Sequence, residues 1–310
     1  MALLRLNIKN KLFIGFGVML IIMLCLAFVF FKTLKIVSSI HDEAIRKVYL
    51  DMYLDEKVGE HYKWMSELAD LLLVGEEFKG ELSADICDFG KWYAGFNSDD
   101  PEIVKIYPEI EEPHNMLHSA AKKVVENYRS TDLRLALKMA DAEIAHLSWM
   151  LRLRDLWQPN AIPFTGETEP SECVFGKWYY LYRDEAVSPE VKDVLYAIEV
   201  PHQKLHHSAK EILALAGVDG VISEPEAVVQ ARKIYNEKTE LYAAQVMSLY
   251  NDIKNIVFDD VRNTLEAESI YSNEARSAAK DLQAKVAKVQ QILMQDVDEL
   301  MKKRVKIDKT

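Results

Sequence analysis

Seven residues that occur twice constrain this chain more than anything else in it. Cys87-Asp88-Phe89-Gly90-Lys91-Trp92-Tyr93 returns as Cys173-Val174-Phe175-Gly176-Lys177-Trp178-Tyr179, and both copies keep the same surroundings. Upstream lies His-x-x-Trp, as His61 with Trp64 and again as His146 with Trp149. Downstream lies Pro-His-x-x-x-His, as Pro113, His114 and His118 and again as Pro201, His202 and His206. The first His and the Cys are 26 and 27 residues apart, the Cys and the next His 27 and 29. Repetition on this scale marks one folded unit used twice. Eight potential metal ligands therefore form two sets, each of one Cys and three His.

A chain of 310 residues has room for several domains, at roughly 100–200 residues each. Nearly half of it is apolar, at 49%, so real cores are expected rather than disorder. The net charge of −11 excludes the broad basic face that a nucleic-acid partner requires. Three cysteines, two of them heading the repeated motif, do not make a disulfide framework.

Residues 12–31 are 20 positions without a charge, flanked by Lys9 and Lys11 before and by Lys32 and Lys35 after. About 20 apolar residues cross the hydrocarbon core as a helix. The run is long for a cleaved leader and no Ala-x-Ala-like site follows it, so a retained anchor is expected. Cys25 then faces lipid. Arg5, Lys9 and Lys11 balance Lys32, Lys35, Arg46 and Lys47 across the span, which leaves orientation open by charge alone. No second run of membrane length is present, so the chain crosses a bilayer once at most.

From Ile45 onwards the apolar pattern is helical. Val58, His61, Met65, Leu68 and Leu72 share one helix face, as do Met139, Ala142, His146, Trp149, Leu153 and Leu156. Stretches 75–83 and 158–171, rich in Gly, Pro, Glu and Thr, read as loops that deliver each Cys motif. Gly90 and Gly176 suit a close backbone approach or a tight turn there. Ile110, His114, Leu117, Ala121 and Val124 then predict a helix that returns as Ile198, His202, Leu205, Ala209 and Ile212. The histidines four apart share a face. Pro113 and Pro201 predict a kink or a helix start that aims them. Beyond Pro225 there is no Gly or Pro, and Leu282, Val286, Val289, Leu293, Val297, Leu300 and Ile307 resemble a coiled-coil seam with one stutter. Two long helices are expected there.

Zinc favours four tetrahedral ligands drawn from thiolate and imidazole, which suits each set, although copper, nickel or cobalt also fit. A di-iron bundle is the runner-up, since Glu111 and Glu199 precede His114 and His202 by three. It leaves the repeated cysteine without a role, and Val58 breaks the pattern before His61. The His-x-x-x-His pairs lack the glutamate of zinc proteases, having Asn115 or Gln203 after the first His. Four protein ligands leave no open position, and no other catalytic motif occurs, so enzyme activity is not expected. Trp64, Trp92, Trp149 and Trp178 are read as packing that excludes water around each metal rather than as an aromatic cage. Glu111 and Glu199 either accept hydrogen bonds from ligand rings or lie on a solvated face.

These motifs resemble the chemoreceptor zinc-binding domain. Both copies carry His-x-x-Trp, Cys-x-Phe-Gly-Lys-Trp-Tyr and Pro-His-x-x-Leu-His, over roughly residues 45–215. The resemblance implies a four-helix bundle holding one zinc per copy, two per chain, through His61, Cys87, His114 and His118 and through His146, Cys173, His202 and His206. The expected architecture is all-α: an anchor at 12–31, bundles at 45–130 and 131–220, and coiled-coil-like helices at 225–305. The opening Asn7-Ile8-Lys9-Asn10-Lys11-Leu12-Phe13-Ile14-Gly15-Phe16-Gly17 is similar to the first membrane segment of bacterial methyl-accepting chemotaxis proteins. That likeness implies an inner-membrane protein with its soluble part in the periplasm, a homodimer or higher oligomer, and chemotaxis signalling proteins as partners. Those receptors continue through a second membrane helix into a signalling hairpin, and neither occurs here. A stand-alone sensor or adaptor, or a truncated receptor, is therefore expected. A zinc-stapled scaffold without a sensing role is the competing reading.

Overall fold

A computed structural model of the chain describes residues 7–185 and 188–308. Arg5, counted in the charge balance above, lies outside the described residues. No strand occurs among them. Helix α1 runs from Ile8 to Val74 and ends at Gly75, whose φ of 75° only glycine adopts without strain and whose N–H caps Leu71. The apolar run and the first His stripe are therefore parts of one 67-residue helix. No side chain in residues 12–31 is buried, and this is the one described helix long and apolar enough to cross a membrane. From Ile40 the same helix buries Ala44, Leu54, His61, Met65, Leu68 and Leu71.

Two compact units divide the chain: Met1–Glu126 with Ala267–Thr310, and Asn127–Glu266. The chain leaves the first unit, builds the second and returns. In the first unit α1 is followed by the short α2 (Asp88–Gly95), α3 (Pro101–Ile106) and α4 (Glu111–Asn127). Helix α10 (Arg276–Asp308) then packs along α1. The second unit contains α5 (Leu133–Arg154), the short α6 (Val174–Tyr182), α7 (Pro189–Leu213), α8 (Pro225–Ile234) and most of α9 (Glu240–Ile270). Single π turns at Tyr235–Thr239 and Tyr271–Ala275 join α8, α9 and α10.

Among the described residues each unit thus combines three long helices with two short ones, because two His-bearing helices alone leave their apolar stripes half covered. The C-terminal stretch set apart at 225–305 is divided between the units to close both. Leu282, Val286, Val289 and Leu293 are buried against the first unit, while Val297 and Leu300 beyond them are half-buried. The prolines diverge. Pro113 sits in the first turn of α4, whereas Pro201 lies inside α7.

The core of the second unit contains an unmatched hydroxyl. Tyr250 is fully buried against Phe175 and His146, and its hydroxyl has no hydrogen-bond partner. An orphaned buried hydroxyl costs about 1–3 kcal/mol, while Phe keeps the ring volume. Tyr250→Phe is therefore expected to raise stability by about 1 kcal/mol in chemical denaturation; a loss of that size would mean the hydroxyl is bonded.

Candidate metal centres

Each centre is assembled from a long helix, the start of a short helix and a second long helix. His61 and His146 stand in the buried stripes of α1 and α5, where α-helical spacing aims them inward. Their Nδ1 atoms lie 2.8 Å from the carbonyls of Lys57 and Ala142, one turn back on the same helix. That contact fixes the Nδ1–H tautomer and turns Nε2 to the interior. His114 and His118 occupy one face of α4, His202 and His206 one face of α7, all buried.

The cysteines are helix N-caps. Cys87 Sγ accepts the amide of Gly90 at 3.2 Å, and Cys173 Sγ that of Gly176 at 3.1 Å. A sulfur in that place meets the positive end of the helix dipole. The glycines allow it. A Cβ on Gly90 would lie 1.8 Å from the Ala84 carbonyl oxygen, and one on Gly176 1.8 Å from that of Pro170. Alanine normally gains about 1 kcal/mol over glycine in a helix, but here it drives the backbone of the preceding loop away. Gly90→Ala and Gly176→Ala are expected to cost about 1–3 kcal/mol net in thermal or chemical denaturation, and unchanged stability would refute the close approach.

The four donors of each set converge. His61, Cys87, His114 and His118 can each offer one ligand atom with all four within 4.8 Å of one another, and so can His146, Cys173, His202 and His206. Cys87 Sγ is 3.3 Å from His114 Nε2; Cys173 Sγ is 3.3 Å from His202 Nε2 and 3.9 Å from His146 Nε2; the last two Nε2 atoms are 3.2 Å apart. A tetrahedron with Zn–N near 2.0–2.1 Å and Zn–S near 2.3 Å has edges of about 3.3 and about 3.6 Å. These four distances lie near those edges, and all the donors of a set fall within 4.8 Å of one another.

Hydrogen bonding does not explain the clusters. Both ring nitrogens of His118 and of His206, and Nδ1 of His202, are buried without a hydrogen bond of good geometry, although backbone groups of Glu81 and Leu82 lie near His118 and those of Glu167 and Thr168 near His206. Burial, with the neighbouring imidazoles adding to it, holds His114 down to about 3 and His202 to about 2. Burial and the facing His61 or His146 hold His118 and His206 near 4. Burial raises both thiols, against the pull of the Gly90 and Gly176 amides. Neutral imidazoles and a thiol that needs a positive charge to ionise are the donor chemistry of a transition-metal centre. The residues fit zinc.

Trp64 lies over His118 at 4.9 Å between ring centres, and Trp149 over His206 at 5.0 Å. Trp92 and Trp178 stand one layer away, against Phe89 and Phe175, which in turn meet His114 and His202 edge to face. The glutamates take no part. Glu199 bonds to Arg183 at 2.7 Å and to Gln203, and Glu111 is exposed. Only His61 and His146 place a ring nitrogen on a helix carbonyl, while Nδ1 of His202, three residues beyond Glu199, has no partner. Sequence reasoning passed over a second lid residue, Phe78 on Trp64 and Phe164 on Trp149, each two residues before a glycine pressed against the same tryptophan. The repeated Phe-x-Gly in the two loops was the signal.

Helical bundles that close three imidazoles and one thiol around a point form a compact class of metal-binding domain. Residues 61–125 and 146–213 each match the chemoreceptor zinc-binding domain family, so this chain carries that domain twice. Each matched segment begins at the first histidine of its set and runs past the last. No curated protein and no solved structure matches the chain.

The centres differ in access. Cys87 is half-buried and Cys173 is buried. A cavity of about 350 Å³ opens onto His61, Cys87 and His118. After chelation, a thiol reagent is expected to modify Cys87 several-fold faster than Cys173, read by peptide mass spectrometry. Equal rates would show that the second centre opens as readily as the first.

Proposed function

We propose that the protein is a single-pass, membrane-anchored zinc-binding sensory protein of chemoreceptor type, with two zinc ions per chain. The observation that carries this reading is the convergence of two equal sets of one thiol and three imidazoles on the family's matched segments. His61, Cys87, His114 and His118 hold one ion; His146, Cys173, His202 and His206 hold the other. When bound, zinc supplies a positive charge that keeps each thiol as thiolate and ties three helix segments together. Closed sets of four leave no position for a reacting water, which supports binding over catalysis.

The sensing step rests on the protein's own groups. With the ion gone, His61 is free of His114 and His118, and the α1 and α4 faces relax; in the second unit Pro201 gives α7 a weak point one residue before His202. The thiolates of Cys87 and Cys173 are also the oxidisable groups, and an oxidant such as hypochlorous acid converts a donor into a sulfenic acid that binds poorly. The continuous α1 supports a stiff connection between His61 and residues 12–31. The likeness of that segment to a chemoreceptor's first membrane helix favours a periplasmic soluble part. Self-association and chemotaxis proteins as partners belong to the same proposal, supported by the half-buried seam residues Val297 and Leu300 and by the exposed Met301 and Val305 near the end of α10.

The experiment is metal analysis of the full chain in detergent. About two zinc ions per chain are expected, one for each four-ligand set, falling sharply in Cys87→Ala with Cys173→Ala; an unchanged count would refute the ligand assignment. A competing chelator separates sensing from scaffolding. Zinc that leaves while helicity is retained supports a sensor, and zinc that leaves only on unfolding supports a staple.

A further inference from the structure

The two copies diverge most beside the metal centres, not in them. Their side chains can be matched by shared bonds. The Tyr93 hydroxyl donates to the carbonyl of Tyr107, and the Tyr179 hydroxyl to that of Leu195, so Leu195 stands where the first copy has Tyr107. Counting back eight residues from His61 and His146 pairs Tyr53 with Lys138, and counting back fourteen pairs Lys47 with Asp132. The hydroxyls of Tyr271 and Tyr235 both reach the residue four beyond the first His, Met65 and Met150. Counting forward 25 residues from each tyrosine pairs Asp296 with Asp260.

In the first copy this place is self-satisfied. The rings of Tyr53, Phe96 and Tyr107 surround Trp92 at 5.6, 4.9 and 6.4 Å. The Lys47 ammonium sits 2.5 Å from Asp296 and 3.7 Å from Asp100. A cleft remains above it, but Trp92 does not line it.

The second copy has lost the fillings. Tyr53 and Tyr107 become Lys138 and Leu195, Lys47 becomes Asp132, and a cavity of about 480 Å³ reaches down to the face of Trp178 beside Tyr182. Asp132 is taken up by Arg134 at 2.9 Å. Asp260 and Lys138, both half-buried in the walls, make no hydrogen bond or ion pair among the described residues. Burial raises the Asp260 carboxyl against the pull of the Arg129 guanidinium, with Glu190 and Asp259 adding to the rise, and no lysine sits on it as Lys47 sits on Asp296. Tyr182 stacks on Trp178 at 6.0 Å, in the place of Phe96 on Trp92. The missing parts are the two further rings around the tryptophan and an ammonium on the aspartate, and the added part is a cation.

We propose that this cavity binds a small aromatic zwitterion of the aromatic α-amino acid class, its ring on Trp178, its ammonium at Asp260 and its carboxylate toward Lys138. Ring stacking and ammonium contact reproduce what the first copy supplies from its own chain. The cavity is large enough for a ligand of this kind and combines apolar walls with few polar groups, as small-molecule sites do. The site lies two ring contacts from the second centre, through Phe175 to His202, but its binding does not depend on zinc being the metal there.

The test is calorimetric titration of the full chain in detergent with L-tryptophan, L-tyrosine and L-phenylalanine, and with the one-charge analogues tryptamine and indole-3-acetate. At least one amino acid is expected to bind once per chain with a Kd of about 1 mM or below. Each analogue should bind at least about tenfold more weakly than tryptophan, because one buried charge is then left unpaired. Asp260→Asn is expected to weaken binding about tenfold. Lys138→Tyr with Leu195→Tyr, which rebuilds the first copy's filling, should abolish it while zinc content stays at the wild-type value. No heat with any of the amino acids at about 10 mM overturns the proposal, as does binding that survives the refilled variant or an analogue that binds as tightly as tryptophan. Lys138→Met, a milder change, checks that loss in the refilled variant is not misfolding: it should weaken the amino acid and leave tryptamine unaffected.

Discussion

Six imidazoles and one thiol are buried in apolar cores, with a second thiol half-buried beside them, and hydrogen bonds leave several of the ring nitrogens unaccounted for. A buried polar group without a partner costs free energy, and here several ring nitrogens in each cluster are without one. Stripped of an ion, such a cluster is a weakness, which a bound cation would relieve by partnering those atoms. The surrounding features follow from that. Helix carbonyls orient the first histidines, the short helices present sulfur at their positive ends, and the two glycines let a loop carbonyl pass where a side chain would collide. Phe78 with Trp64, and Phe164 with Trp149, close the outer side.

Duplication makes the chain its own comparison. The bonds that define the centres recur at equal positions, including the two π-turn tyrosines that clasp the histidine helices. Such π turns often mark functional places in helices, and both fall on the helix that closes a bundle. Where the copies part, the difference is local: a more open first centre, a buried Tyr250 in the second, and a cavity where the first copy packs its own rings. The ligand sets are kept while their neighbours vary. That is the pattern of one chemistry used in two surroundings.

Much of this was legible in the residues. The His146 stripe is buried as its spacing requires, and so are His61, Met65 and Leu68 of the other, with Val58 and Leu72 half-buried at its ends; the predicted face residues of both Pro-His helices are buried as well. The seam from Leu282 to Leu293 is buried too. Loops 75–83 and 158–171 are where Gly and Pro place them. Less legible was the neighbourhood of each centre. Glu111 and Glu199 sit at helical spacing from ligands, but Glu111 points to solvent and Glu199 is held by Arg183 and Gln203, which periodicity alone does not reveal. Trp92 and Trp178 belong to the same motif as the cysteines, and yet the phenylalanine between them and the histidines takes the contact.

The sequence by itself determined the helices, the two donor sets and their equivalence, because periodicity and repeated spacing are local properties that need no knowledge of neighbours. Which helix closes each bundle was decided only in three dimensions. The apolar seams of residues 225–308 fit any exposed stripe of matching period, and folding assigned part of them to the unit that contains α5 and the rest to the unit that contains α1. The same holds for the cavity beside Trp178. Lys138, Leu195, Asp132 and Asp260 are far apart along the chain, and their joint effect exists only where packing brings the four positions to one place.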